Sequence, residues 1–345
     1  MFYLKYRPKN IEEIDNTRVK NVIKKMLAAP ELPHAVLLVG PKGTGKTSTA
    51  RIFAKAVNCL HPVGGEPCNQ CANCLSINTS SSTDVLEMDA ASNRGIEEIR
   101  NMIKETAFLP MTAKYRVFII DEAHMITMDG FNALLKTLEE PPATAIFILA
   151  TTNPEKLPKT IISRCVKINF GKAQKDDILH MFKRIIATEK INFPEEMYTL
   201  ISTHAEGSFR DAAKILEELA MQKIKTVAEA ETFLGISGKN DLLEIVAKGD
   251  IKKSLEWINE FSQNAGNFKN LIEDLLDELR LVLLVRKGLA VEDAPQIVLT
   301  TNQIVTLIKL LMEAYQNLRT TPIESLPLEI AITEFYNIRN SEVKS

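Results

Sequence analysis

Long apolar runs are missing from this sequence of 345 residues. The longest, AVLLV at 35–39, AIFILA at 145–150 and LVLLV at 281–285, fall far short of the roughly 18 residues that span a bilayer. The opening stretch MFYLKYRPKN has no apolar core ahead of a small-residue cleavage site, so the expectation is a soluble, cytoplasmic protein. Charge of one sign is equally lacking: 42 Lys plus Arg stand against 44 Asp plus Glu, a formal net charge of −2. That balance excludes a polybasic nucleic-acid arm or an acidic tail. Gly (14) and Pro (15) are too sparse for a collagenous or low-complexity chain. Cysteine is scarce too, at five, but four of the five lie between positions 59 and 74. In a reducing compartment such crowding favours metal over disulfides.

What is present is order along the chain. The first half alternates short apolar runs with amphipathic stretches, which predicts a parallel sheet with helices on both faces. Candidate strands are 35–39, 85–88, 116–120, 146–150 and 166–169, with helices over 47–57, 96–108 and 131–138, the last stopped by Pro141 and Pro142. From about Gly171 the strand signal gives way to helices over 176–188, 195–204 and 208–222. A break at LGISGK, 234–239, precedes a further all-helical stretch, in which Leu271, Leu275, Leu279 and Val282 form an apolar face that Ile272, Leu276 and Leu283 widen. A helix so broadly apolar is buried by other helices or other subunits. The expected organisation is an α/β domain over 1–170, a small helical domain over 171–234 and an all-α domain over 235–345.

The sharpest motif is GPKGTGKT at 40–47, placed after an apolar strand and at the start of a helix. Small residues at Gly40, Gly43, Thr44 and Gly45 let backbone amides curl around phosphates, and the helix N-terminus adds positive partial charge. Lys46 is placed to reach the β and γ phosphates of ATP, and Thr47 to ligate Mg2+. A second motif, VFIIDEAH at 117–124, ends a strand in two acids at the sheet's carboxyl edge. Asp121 is the expected partner of Thr47 at magnesium, and Glu122 the residue that orients and polarises the attacking water. His124, beside this motif, reads as a packing residue. On the adjacent strand, ILATTN offers Thr152, or its neighbour Thr151, to sense the γ phosphate. Arg164, in KTIISRC, follows a short helix and could project to a neighbouring subunit's nucleotide as a charge-stabilising finger.

Cys59, Cys68, Cys71 and Cys74 are spaced C-x8-C-x2-C-x2-C, which brings thiolates close enough to share one ion. Four soft ligands with no open position suit structural Zn2+; an iron–sulfur cluster and unliganded thiols are the alternatives. Cys165 stands apart. Ser92, Asn93 and Arg94 precede a helix and could hold a DNA phosphate, with an N-cap and solvated charge as the bland alternative.

Taken together, GPKGTGKTSTARIFAKAVNC, the four cysteines, DAASNRGIEEIR, YRVFIIDEAH, FNALLKTLEEPP and ILATTNPEKLPKTIISRC resemble the γ/τ ATPase subunits of bacterial DNA polymerase III clamp loaders over about residues 1–235. This resemblance implies an AAA+ ATPase with a helical lid and an all-α collar. It implies that Ser163, Arg164 and Cys165 supply a finger in trans, that Arg210 in GSFRDAA acts as a lid-borne sensor, and that Thr152 is the sensor threonine. Tyr6, Arg7 and Pro8 match the segment near the adenine, and Ser48 extends the phosphate loop. Past Pro8 the chain departs from the family pattern, with Ile11, Ile14, Asp15, Asn16 and Thr17 in place of an aromatic and a Val-Gly-Gln turn. The implied partners are other loader subunits in a hetero-oligomeric ring, a sliding clamp and primed-template DNA, with polymerase core and replicative helicase added if a longer form exists.

Two rivals fit parts of the pattern. DEAH at 121–124 is also a helicase box, but such helicases place a second α/β domain against the first, whereas this chain turns helical after Gly171. A non-hydrolysing scaffold subunit would carry an eroded phosphate loop; Lys46, Thr47, Asp121 and Glu122 are all in place. The near-neutral total also hides a split, +4 over residues 1–170 and −6 over 171–345. So small a basic excess suits DNA held by a few placed groups in an assembly.

Overall fold

In the computed structural model, residues 1–92, 95–234, 239–263, 267–289 and 297–344 are described. They form two compact units, Met1–Lys225 and Thr226–Ser345.

The first unit is built on one sheet. Strands β1 (Ala35–Val39), β2 (Val85–Asp89), β3 (Arg116–Asp121), β4 (Ala145–Thr151) and β5 (Val166–Asn169) lie in the order β2-β3-β4-β1-β5, and every pairing is parallel. Parallel neighbours need crossovers long enough to hold a helix, so both faces are covered and the central strands read as unbroken apolar runs. Alternate residues then serve different cores. Leu37, Phe118, Ile120, Phe147 and Leu149 pack on one face with Ile99, Phe131 and Leu134. Val36, Leu38, Val117, Ile119 and Ile148 pack on the other with Ile11, Ile14, Ile52 and Phe53. Phe118 and Phe147 stack across β3 and β4 with ring centroids 5.1 Å apart.

The helix expected over 96–108 ends at Glu105. Thr106, Ala107 and Phe108 donate to carbonyls three residues back, tightening the chain ahead of Pro110, which disfavours helical backbone at the residue before it. Helix Met128–Glu139 starts three residues earlier than expected because Thr127 caps it, accepting from the Gly130 amide.

Helices Lys175–Glu189, Glu195–His204 and Phe209–Met221 belong to this same unit. These helices group with the sheet rather than with the helices that follow Lys225. The physical reason is that residues 2–7 reach across to these helices, and the Phe209 amide donates to Gly43 O at 3.0 Å.

The second unit contains helices Val227–Phe233, Lys239–Lys248, Ile251–Gln263, Phe268–Arg286, Thr301–Asn317 and Leu326–Lys344. Leu271, Ile272, Leu275, Leu279 and Val282 are buried against Leu307, Leu311, Ile332 and Phe335, with Leu276 and Leu283 at the margin. The broad apolar face is thus covered by helices of its own unit. Most of LGISGK, at 235–238, lies outside the described residues. The described residues hold one sheet, so a second α/β domain of the helicase kind is not among them. None of their helices is long and apolar enough to cross a membrane.

Candidate functional site

At the carboxyl edge of the sheet, a cavity of about 580 Å³ is lined by Arg7, Lys46, Thr47, Asp121, Glu122 and Arg210, among others. The chain leaves β1 at Val39 and turns through Gly40–Gly45 into helix Lys46–Asn58. Gly43 and Gly45 have φ of +79° and +93°, a region that side chains with a Cβ rarely adopt. Lys46 is only 5% exposed, and its ammonium donates to Gly40 O and Pro41 O, both at 2.8 Å. Burial pushes its pKa down, and the Glu122 and Asp121 carboxylates pull it back up.

Thr47 Oγ1 donates to Asp121 Oδ2 at 2.5 Å, which joins the helix start to the tip of β3. The other oxygen of Asp121 accepts from the Glu122 amide at 2.9 Å. Glu122 itself has φ of +46°, a conformation costing a non-glycine residue about 1–2 kcal/mol. Thr152 Oγ1 donates to Glu122 Oε2 at 3.1 Å. His124 Nδ1 lies 3.4 Å from that carboxylate oxygen and 3.1 Å from Thr151 Oγ1. Of the two threonines, it is Thr152 that touches the acid; Thr151 is fully buried and accepts from Asn153 N at 3.1 Å. His124, read from sequence as a packing residue, belongs to this polar network. Its place on the short 3₁₀ turn Ala123–Met125, behind a left-handed Glu122, left no periodic signal to find.

Residues 2–8 run as an arm past the cavity. Arg7 Nε donates to Ser48 Oγ at 2.7 Å, and burial, then Arg51, lowers its pKa. Tyr6 OH and Lys5 Nζ both donate to Glu189 Oε1 at 2.6 Å, while Phe2 N donates to Glu217 Oε2 at 2.8 Å. Arg210 faces the cavity just after Ser208, the cap residue of helix Phe209–Met221. A Cβ on Gly43 would lie 2.0 Å from Ser208 Oγ, so loop and helix meet with no space for a side chain. Where the sequence departs from the family pattern, Ile11 and Ile14 are core residues and Asp15 accepts from Arg184 Nη2 at 2.6 Å. Asn16 caps helix Thr17–Leu27 and donates to Phe170 O at 2.9 Å.

Arg164 lies apart from the cavity lining. Its guanidinium donates to Glu139 Oε1 at 2.5 Å and to Thr160 O at 2.8 Å on the surface. Ser163 Oγ donates to Thr160 O at 3.1 Å. The Cys165 thiol is pushed up to about 11 by burial.

The sulfurs of Cys59, Cys68, Cys71 and Cys74 all lie within 4.8 Å of one another, and none is in a disulfide. Four thiolates at tetrahedral zinc distances have sulfurs roughly 3.8 Å apart, so the group has the size of a site for one ion. Cys68 N donates to Cys59 Sγ at 3.2 Å and Cys71 N to Cys68 Sγ at 3.3 Å, bonds that favour thiolates. Amides of Gln70 and Cys71 bring the Cys68 thiol down to about 6, whereas burial raises Cys74. Of the DNA-contact candidates, Asn93 and Arg94 lie outside the described residues.

Comparison with known proteins places these features in a family. Residues 15–174 match the family described as DNA polymerase III, delta subunit. DNA polymerase III subunit tau of Bacillus subtilis is 40% identical over 297 residues, covering 84% of this chain and 53% of that protein. DNA polymerase III subunit gamma/tau of Mycoplasma genitalium is 36% identical, covering 80% and 47%. DNA polymerase III subunit gamma of Buchnera aphidicola subsp. Schizaphis graminum is 35% identical, covering 82% and 79%. The chain thus spans about half the length of the first two relatives and most of the third. Among solved structures, the Thermotoga maritima RuvB Holliday junction branch migration motor aligns at 18% identity with a TM-score of 0.49, over 86% of this chain and 96% of that one. With its P-loop sheet, its helical segment and its cover of the Buchnera protein at 35% identity, the chain belongs to the DNA polymerase III gamma/tau family.

Proposed function

We propose that the chain is an ATP-driven motor subunit of a clamp loader, which binds and hydrolyses ATP at subunit interfaces to open a sliding clamp and load it onto primed DNA within a cytoplasmic DNA polymerase III assembly. The observation that carries this reading is the convergence of Lys46, Thr47, Asp121, Glu122 and Arg210 on one cavity. Amides of Gly43 to Ser48 would cradle the phosphates, Lys46 would swing from the Gly40 and Pro41 carbonyls onto the β and γ phosphates, and Tyr6, Arg7 and Pro8 would border the adenine. Thr47 and Asp121, already bonded to each other, would hold Mg2+, which supplies charge neutralisation at the phosphates. Glu122, held by Thr152, would orient the attacking water. Arg210 would sense the γ phosphate from the lid, and Arg164 would serve the neighbouring subunit's nucleotide.

In this reading residues 1–170 are the AAA+ domain with a zinc module at 59–74, 171–234 the lid, and 235–345 the collar that joins other loader subunits. Zn2+ is structural, held by Cys59, Cys68, Cys71 and Cys74. The relatives' names, subunits tau and gamma of DNA polymerase III, support a place in that polymerase complex. The test is ATP hydrolysis with and without primed DNA and a sliding clamp, in an assembled loader, comparing the natural chain with Lys46→Ala. Hydrolysis stimulated by DNA and clamp together, and lost in the variant, is expected. No hydrolysis under any condition would overturn the motor reading in favour of a scaffold, and stimulation by DNA with no effect of the clamp would overturn it in favour of a helicase.

A further inference from the structure

Lys55 sits on the phosphate-loop helix with 2% of its surface exposed. Its ammonium donates to three uncharged oxygens: Lys9 O at 2.5 Å, Asn69 Oδ1 at 2.6 Å and Asn78 Oδ1 at 2.9 Å. Those three bonds use every donor it has. Asn69 follows Cys68 with φ of +56°, and Asn78 ends the helix Ala72–Asn78 that carries Cys74. Lys9 follows directly on the arm of residues 2–8 that borders the nucleotide cavity. One buried cation therefore ties both cysteine-bearing segments to the chain just past the arm.

A second tie runs in parallel. Between Cys59 and Cys68 the loop folds back on itself, Val63 N donating to Glu66 O at 3.1 Å and Glu66 N to Val63 O at 3.0 Å. The Glu66 side chain accepts from Ile11 N at 2.7 Å. The chain just past the arm is thus held at Lys9 and again at Ile11 by groups that flank the cysteines, two and four residues on from Arg7 and its bond to Ser48.

We propose that the thiolate module positions the amino-terminal arm of the nucleotide cavity through Lys55 and Glu66, so that metal occupancy and nucleotide affinity are coupled. This rests on the ATP and zinc readings above. Without a cation the four sulfurs lose their common tether, and the loop carrying Asn69 and Glu66 is free to spread, taking the two anchors at Lys9 and Ile11 with it. By linkage, nucleotide held by the arm retains the metal to the same degree.

The experiment uses the full chain and two probes: titration with a fluorescent ADP analogue, and colorimetric zinc release to a chelator. Glu66→Ala is expected to keep its zinc while binding ADP about fivefold more weakly, at the lower end of allosteric couplings. Glu66→Gln, which still offers an oxygen to Ile11 N, is expected to stay within about twofold of the natural chain. Zinc-stripped protein with unchanged circular dichroism should show a weakening of at least the same size. Saturating ADP should slow zinc release from the natural chain and have less effect on Glu66→Ala. Lys55→Met should weaken both ligands together. The proposal is overturned if Glu66→Ala and the stripped chain bind ADP as tightly as the natural one. It also falls if the natural chain takes up no zinc, which indicts the metal reading, or if ADP binding ignores Lys46→Ala, which indicts the nucleotide reading; each failure is visible in its own control.

Discussion

The Thr152 hydroxyl donates to Glu122 Oε2 at 3.1 Å, so the residue after β4 holds the acid that follows β3. β4 lies between β3 and the phosphate-loop strand β1, so its tip adjoins the ends of both. Thr152→Val should lower kcat for ATP by about 10²-fold, the scale of an Å-sized misplacement at a reacting centre. Nucleotide affinity should stay within about twofold, and Thr152→Ser should restore most of the rate. Single-turnover hydrolysis alongside equilibrium binding separates the two effects.

Gly43 has no space for a side chain, because its Cβ would meet Ser208 Oγ at 2.0 Å and its φ is +79°. Gly43→Ala should weaken nucleotide binding at least tenfold by forcing the helix Phe209–Met221 and its Arg210 away from the phosphate loop. Adding Ser208→Gly should recover part of that loss, since glycine caps a helix nearly as well as serine. Fluorescent nucleotide titrations of the single and double variants check this.

Arg164 is engaged by Glu139 on an exposed surface, where an ion pair contributes only about 0–1 kcal/mol. It can be released readily. On the proposed clamp-loader reading, Arg164→Ala should leave hydrolysis by the isolated chain within about twofold and lower the DNA-stimulated rate of the assembly by about 10³ or more. Equal effects in both settings would contradict a role in trans. Steady-state assays of the two preparations decide it.

Asp84 is buried and accepts from the amides of Met111, Thr112 and Ala113 and from the Thr112 hydroxyl. Burial raises its pKa, but the amides outweigh it and the net shift is downward. A lowered carboxylate stabilises the fold fully above its unfolded pKa of about 3.9, and that contribution is lost as pH falls toward the folded value. Asp84→Asn should therefore lower the unfolding free energy at pH 7 by about 2–4 kcal/mol. The gap between variant and natural chain should narrow below about pH 4. Urea unfolding at several pH values measures both.

The strands, the phosphate loop and the acidic pair were legible because each is written in consecutive residues: a short apolar run, a glycine-rich turn, two acids at a strand's end. Arg210 and the arm residues Tyr6, Arg7 and Pro8 came from resemblance, since the contacts that bring them to the cavity join residues far apart in sequence. The choice between Thr151 and Thr152 was not legible, because successive residues at a strand end point to opposite faces and the register decides which one meets Glu122. His124 was hidden for a similar reason. A left-handed residue two positions before it redirects the chain, and no pattern of apolar spacing records such a turn. The end of helix Ile96–Glu105 was missed because the hydrophobic Ala107 and Phe108 extend its apolar run toward Pro110.

The helices Lys175–Glu189 and Phe209–Met221 are joined to the sheet covalently through Gly171, and non-covalently through the arm, which bonds Glu189 and Glu217 at one end and Ser48 at the other. Two further ties, the Phe209 amide on Gly43 O and Arg184 on Asp15, brace the same helices against the rest of the unit. Arg210 can travel relative to the phosphate loop only as these bonds let go, and each one released is a separate cost that whatever drives the movement must meet.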